Sequence, residues 1–212
     1  MRTIVIGLLL SVSSMSMAEV LEVNIWKPAP GKAPLTFQYA QEAKAIHEKL
    51  GADVTVAGDL DGRMHYVQTF ENWAAWAAFG NKLNSSEAWS AFLAKTRENP
   101  SAELEDNYLL NVPSSGGSGS VYQVFIWEAE LGRGNDLFEA GMQAKAIHEK
   151  AGASVGINYD QMQRMHYVMS FDSWEAWAKF QDTPSPEFDA FLAEQNKDPT
   201  AKLVKVYTAS NL

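Results

Sequence analysis

Apolar positions along the chain recur with two periods, and the periods alternate in a fixed order. Val23 to Trp26 is a short run of β-branched and aromatic residues, the signature of a strand. Pro28, Pro30 and Gly31 break it. From Leu35 to Leu50 the apolar residues are spaced as on a helix, with Ala43, Ile46 and Leu50 marking the stripe and Gly51 standing just past the end. Val54 to Ala57 and Met64 to Phe70 read as two strands, joined through Gly58-Asp59-Leu60-Asp61-Gly62 as a hairpin. Trp73, Trp76, Phe79 and Leu83 return to helical spacing. Asn84 with Glu87 is spaced as a capping box for a further helix carrying Trp89, Phe92 and Leu93. Tyr108 to Val112 closes the unit as a strand.

The same order is then written again. Ala43-Lys44-Ala45-Ile46-His47-Glu48-Lys49 returns as Ala144-Lys145-Ala146-Ile147-His148-Glu149-Lys150, 101 residues later. Arg63-Met64-His65-Tyr66-Val67 returns as Arg164-Met165-His166-Tyr167-Val168 at the same offset. Trp26 pairs with Trp127, and Trp73, Trp76 and Phe79 with Trp174, Trp177 and Phe180. Two residues are then missing from the second copy, so Phe92 pairs with Phe191 and Pro100 with Pro199. In the second copy Asp172 with Glu175 reads as a capping box for the Trp-bearing helix. Between the copies lies Pro113-Ser114-Ser115-Gly116-Gly117-Ser118-Gly119-Ser120, a flexible linker by composition. The expected organisation is therefore a first repeat over 19–112, a linker over 113–120 and a second repeat over 121–212.

Residues 1–18 stand outside the repeat. Arg2, an apolar run from Ile4 to Leu10 and the small residues around Ala18 have the three-part layout of a secretory signal peptide. The run is too short to span a bilayer, which takes about 20 apolar residues. The expected mature chain begins at Glu19, in a periplasm or outside the cell, with no membrane insertion after cleavage. Composition narrows its partners. Lys plus Arg number 17 against 26 for Asp plus Glu, a net charge of −9, which argues against nucleic acid and anionic membranes. Cysteine is absent, so disulfides, thiolate metal sites and a cysteine nucleophile are excluded.

A β-α-β-β-α-β unit is the ferredoxin-like motif, with helices on one sheet face only. The bare apolar face needs a cover, and the second copy is the natural one. The fold class expected is α+β, with two ferredoxin-like repeats fused into a pseudo-dimeric α+β barrel and the chain a monomer because its dimer is internal. The element order, the Trp-rich helices and the fused pair resemble the dimeric α+β barrel superfamily, within it the NIPSNAP and antibiotic-biosynthesis-monooxygenase group. The resemblance covers essentially the whole chain after residue 18. It implies a fold that hosts oxygenases, haem-degrading enzymes and proteins of other roles.

The four histidines are the candidate chemistry. His47 and His148 fall inside the apolar stripe of their helices, so each imidazole points at the sheet. One reading is a core histidine satisfied by a hydrogen bond; the other is a pocket residue able to carry a proton near neutral pH. Along the third strand Met64, Tyr66, Gln68 and Phe70 share one face, and His65 and Val67 the other. By resemblance to the haem-degrading members, Asn24, Trp26, Tyr66 and Phe70 look toward the helices, with Trp127, Tyr167 and Phe171 in the second copy. His65 then looks into the barrel opposite His166. Those members also supply an axial histidine from the helix after the Trp-bearing one, where this chain has Leu93 and Leu192. Asn24 becomes Phe125 in the second copy. No haem, other cofactor or metal is therefore expected. Arg63 and Arg164 open the third strand of each copy, where an arginine either pairs with a carboxylate or anchors an anionic ligand. The functional expectation is a small-molecule-binding protein with these residues as its ligand contacts. The alternatives are a cofactor-independent monooxygenase with His47 or His148 as proton carrier, and a structural or protein-interaction module.

Overall fold

The structure is a computed structural model, and it describes residues 19–116 and 119–212. The expected leader, residues 1–18, lies outside the described residues. In the first repeat β1 (Glu19–Pro28) leads into α1 (Ala33–Leu50), β2 (Asp53–Asp59), β3 (Met64–Phe70), α2 (Trp73–Asn84), α3 (Glu87–Glu98) and β4 (Ala102–Ser114). The second repeat runs β5 (Val121–Ala129), α4 (Gly134–Lys150), β6 (Ser154–Tyr159), β7 (Met165–Phe171), α5 (Trp174–Asp182), α6 (Pro186–Gln195) and β8 (Ala201–Asn211).

Local chemistry sets the element ends. Pro34 sits in the first turn of α1, where its missing N–H costs nothing. Gly51 stops that helix at φ 108°, returning its N–H to the carbonyls of His47 and Glu48. The capping boxes expected at Asn84 and Asp172 are not the caps used. α2 is capped by Asn72, whose side chain accepts from Ala75 N–H, and α3 by Ser86, which accepts from Trp89 N–H. α5 is capped by Ser173, one residue past Asp172, accepting from Ala176 N–H. In each case a short oxygen sits three residues before the N–H it receives, and the box residues sit out of that register.

All eight strands form one closed antiparallel barrel in the order β1-β3-β2-β8-β5-β7-β6-β4. Each repeat contributes a four-stranded ferredoxin-like sheet. The two sheets join at β2–β8, where Ala57 faces Asn211, and at β4–β6, where Asn111 faces Tyr159. Residues alternate across the barrel wall. Val23, Ile25, Tyr108 and Leu110 from one half meet Val124 and Ile126 from the other inside it. The opposite faces pack under the helices as two separate clusters, one per repeat.

β4 begins at Ala102, six residues before the strand expected at Tyr108. Its early residues Glu103, Leu104 and Glu105 are exposed, so they carry no buried alternation to betray a strand. β4 also continues through Pro113 and Ser114, into the segment expected as linker. Gly116 then runs so close to β6 that a Cβ there would lie 2.6 Å from the Gly156 nitrogen. Ser120 donates its N–H to the Phe171 carbonyl at 2.9 Å. At Gly116 and Gly119 the small residue serves close backbone approach.

Candidate ligand cavities between helices and sheet

Alternation along β1 and β3 sends Asn24, Trp26, Met64, Tyr66 and Gln68 to the helix side of the sheet. Opposite them α1 presents Ala40, Ala43 and His47, and α3 presents Trp89, Phe92 and Leu93. The small Ala40 and Ala43 leave space where longer side chains would fill it, and a cavity of about 470 Å³ results. The second repeat has the equivalent space at about 200 Å³, lined by Trp127, Ala144, His148, Tyr167 and Phe188 among others.

In both cavities an imidazole and a phenol meet. His47 Nδ1 and Tyr66 Oη are 3.0 Å apart, and His148 Nδ1 and Tyr167 Oη 2.8 Å. Burial holds His47 down at about 4, and lowers His148 as well. Burial also raises both tyrosines. At neutral pH each pair is therefore an uncharged imidazole against an uncharged phenol. His47 Nε2 has no hydrogen-bond partner, although it is out of water. Whichever ring nitrogen carries the proton, that atom is left unsatisfied, a costly arrangement in an apolar surround. The His47 ring lies among Phe79, Trp89 and Tyr66, with centroids 5.3, 4.6 and 5.7 Å away.

Asn24, Trp26, His47 and Tyr66 thus come together in the first cavity, and Trp127, His148 and Tyr167 in the second. Six expected contacts lie outside both. Phe70 and Phe171 face the helices but sit farther along the strand, packed on Phe79 and Phe180 at 5.1 and 5.2 Å. Arg63 is held by Asp61 and Glu105, and Arg164 by Asp160, so neither guanidinium is open to a ligand. His65 and His166 point into the barrel, and each is taken by an aspartate. His65 Nε2 lies 3.0 Å from Asp59 Oδ2, and His166 Nε2 3.2 Å from Asp160 Oδ2. The other oxygen of each aspartate accepts backbone N–H groups of its own hairpin turn, from Asp61 and Arg63 in one copy and Met162 and Arg164 in the other. These histidines tie the β2–β3 and β6–β7 turns to the barrel interior. They also bridge the repeats, since His65 packs on Tyr207 and His166 on Tyr108, both with centroids 4.7 Å apart. Burial, opposed by the bond to Asp59, lowers His65. For Asp160, burial is outweighed by hydrogen bonds from His166 and Arg164, which hold it at about 2.

No group of three His, Asp or Glu side chains among the described residues is placed to hold a metal. Leu93 and Leu192, at the positions where haem-degrading members carry their axial histidine, line the two cavities as apolar wall. That donor set does not fit a haem held from α3 or α6.

Among the lining residues of the first cavity that sequence reasoning did not single out are Glu22, Thr36, Gln68 and Arg97. Gln68 was visible as a face-mate of Tyr66, yet a strand glutamine carries no signal of its own. Thr36 and Arg97 come from the first turn of α1 and the last turn of α3. Their convergence depends on how the two helices cross the sheet.

No protein-family model matches this sequence, and no curated protein matches it significantly. Solved structures do match in fold. A proposed monooxygenase from Lactobacillus acidophilus superposes with a TM-score of 0.63 at 12% identity, over 92% of this chain and 94% of its own. A proposed monooxygenase from Fusobacterium nucleatum gives 0.62 at 12% identity over 93% of each chain. An anthrone oxidase-like protein gives 0.58 at 12% identity, over 92% of this chain and 91% of its own. What these structures share with the chain is the fold, a ferredoxin-like α+β barrel, here with both ferredoxin-like units in one chain.

Proposed function

We propose that this chain is an exported small-molecule-binding protein that holds its ligand between the helices and the sheet, chiefly in the first repeat. The observation that carries this reading is a cavity of about 470 Å³ lined by Trp26, Tyr66, Trp89 and His47, the last with a buried Nε2 that has no hydrogen-bond partner. A space of this size falls within the usual range for small-molecule sites, and its apolar wall with few polar groups matches their make-up. The shared fold supports it only in outline, because one fold serves many functions. Export rests on the three-part leader layout of residues 1–18. Native mass spectrometry of the protein purified from its own host tests both parts. The expected result is a chain starting at Glu19 that carries a small molecule of discrete mass. A chain starting at Met1 sinks the export part, and a mass equal to the bare polypeptide sinks the binding part.

A monooxygenase-like reading draws on the His–Tyr pair kept in both repeats and on the names of the matching structures. The neutral imidazole would hold or relay a proton at Nε2 beside an electron-rich substrate. A base held near 4 is weak, so this reading stands second. His47→Ala combined with His148→Ala would abolish turnover of a substrate found by the mass experiment, and unchanged turnover in that variant retires it.

A further inference from the structure

The two repeats keep the His–Tyr pair but not the rest of the wall. Every lining residue of the second cavity is uncharged. The first is also lined by Glu22, Gln68 and Arg97. At the positions of Asn24, Gln68 and Arg97 the second repeat has Phe125, Met169 and Asn196. The first copy thus carries an amide and a guanidinium on this wall where the second has a thioether and an amide.

Two of these groups have partners within the protein, Asn24 Oδ1 accepting from Asn107 Nδ2 at 2.8 Å and Glu22 from Trp76, whereas Gln68 and Arg97 have none among the described residues. Gln68 is 4% exposed and lines the cavity, yet no hydrogen bond joins its amide to any described residue. Arg63, Arg133 and Arg164 all pair with carboxylates, whereas Arg97, exposed in the last turn of α3 at the cavity mouth, has no ion-pair partner among the described residues. The groups are also ordered along the cavity. Glu22 faces Gln68 across the β1–β3 ladder, Asn24 faces Tyr66 and Trp26 faces Met64. Glu22 and Trp26 are thus about 13 Å apart on the strand. Arg97, with Pro100 and Ser101, stands at the Trp26 end. The Glu22 carboxylate, which accepts from Trp76 Nε1 at 2.8 Å, puts negative charge at the other end.

We propose that the first-repeat cavity takes an elongated aromatic acid, with its rings among Trp26, Tyr66 and Trp89, its carboxylate at Arg97 and a hydroxyl at its far end on Gln68. This deepens the small-molecule reading and rests on it. An arginine fork binds a carboxylate through paired N–H donors, and Glu22 repels the reverse orientation. The second cavity, smaller and without charge, offers such a ligand no anchor.

Three fluorescent probes separate the parts of this claim: 6-hydroxy-2-naphthoate, 2-naphthoate and 2-naphthol, titrated against residues 19–212 by tryptophan quenching. Arg97→Asn and Gln68→Met install the residues that the second repeat already has, so the fold accommodates both types. Arg97→Asn should weaken both carboxylates about tenfold, the loss of one charge-assisted contact, and change 2-naphthol less than twofold. Gln68→Met should weaken the hydroxynaphthoate several-fold and leave 2-naphthoate unchanged. Ala43→Leu, which fills the cavity floor, should weaken all three, with a thermal melt confirming that the variant is folded. Equal losses for acid and alcohol in Arg97→Asn overturn the proposal, as does undiminished binding in Ala43→Leu. Wild-type binding of all three probes with no dependence on Arg97 or Gln68 ends the aromatic-acid claim alone. Binding of none of them ends the small-molecule reading with it.

Discussion

Two tyrosine hydroxyls, both out of water, make opposite predictions. Tyr66 Oη meets His47 Nδ1, whereas Tyr159 Oη has no partner. Tyr66→Phe strands a buried ring nitrogen and should cost about 1–3 kcal/mol, the penalty for an unsatisfied polar atom. Tyr159→Phe removes a polar atom that is already unsatisfied and should be neutral or slightly stabilising. Urea unfolding of the two variants beside the parent checks the pair, and an equal loss in both contradicts the hydrogen-bond assignment. At this scale the sequence was legible where a helical stripe enclosed a polar residue. His47 on the Ala43–Ile46–Leu50 stripe could be aimed at the sheet before any coordinates. His65 could be aimed into the barrel only by alternation from a face fixed through resemblance. Its partner Asp59 belonged on paper to an ordinary polar turn. Nothing in the spacing of Asp59 and His65 says that the second carboxylate oxygen folds back to hold the ring.

Elements were legible where burial imposed a period and illegible where it did not. The strands β1, β3, β5 and β7 lie under helices on one side and against the other sheet on the other, so their apolar residues announce them. The outer halves of β4 and β8 pair on one edge only and carry exposed residues such as Glu103 and Lys202, and their starts are silent. Helix ends follow single oxygens. Ser86→Ala and Ser173→Ala should each cost about 1 kcal/mol of stability, the usual price of an N-cap; Asn84→Ala and Asp172→Ala, which cap nothing, should not. A tighter constraint lies at the junction. A Cβ on Gly119 would stand 2.6 Å from the Phe171 carbonyl oxygen, so Gly119→Ala must shift β5 against β7. Its melting temperature should fall by several degrees, the response to a loss of about 1–2 kcal/mol in a chain of this size. An unchanged melt would mean that the segment moves aside freely, as its composition alone suggests.

The barrel makes the two repeats a single folding problem, because their inner sheet faces share Ile25, Ile126 and the crossed His–Tyr contacts. Its pH response follows from which imidazoles are shut away. His47 is held at about 4 by burial, and His148 and His65 are lowered in the same sense. In the unfolded chain these rings titrate near 6.5. Between those values the unfolded state binds more protons than the folded one, so the free energy of unfolding rises with pH. Stability is therefore fully present above about pH 6.5 and is lost as the pH falls toward 4. At about 1.4 kcal/mol per pH unit, His47 alone accounts for a loss of at most about 2 kcal/mol between pH 6.5 and 5. Asp160, held at about 2, adds its own loss only below the ordinary carboxylate range, so the two contributions occupy separate windows. Urea titrations at pH 7.5 and 5 should show the drop. His47→Phe should flatten the slope while lowering the plateau, since it removes the titrating ring and leaves the Tyr66 hydroxyl unpaired. A parent protein equally stable at both pH values would mean that water or a proton reaches these rings in the folded state. Water entering through the cavity would then reach the ring, and the unpaired Nε2 of His47 would already have its partner.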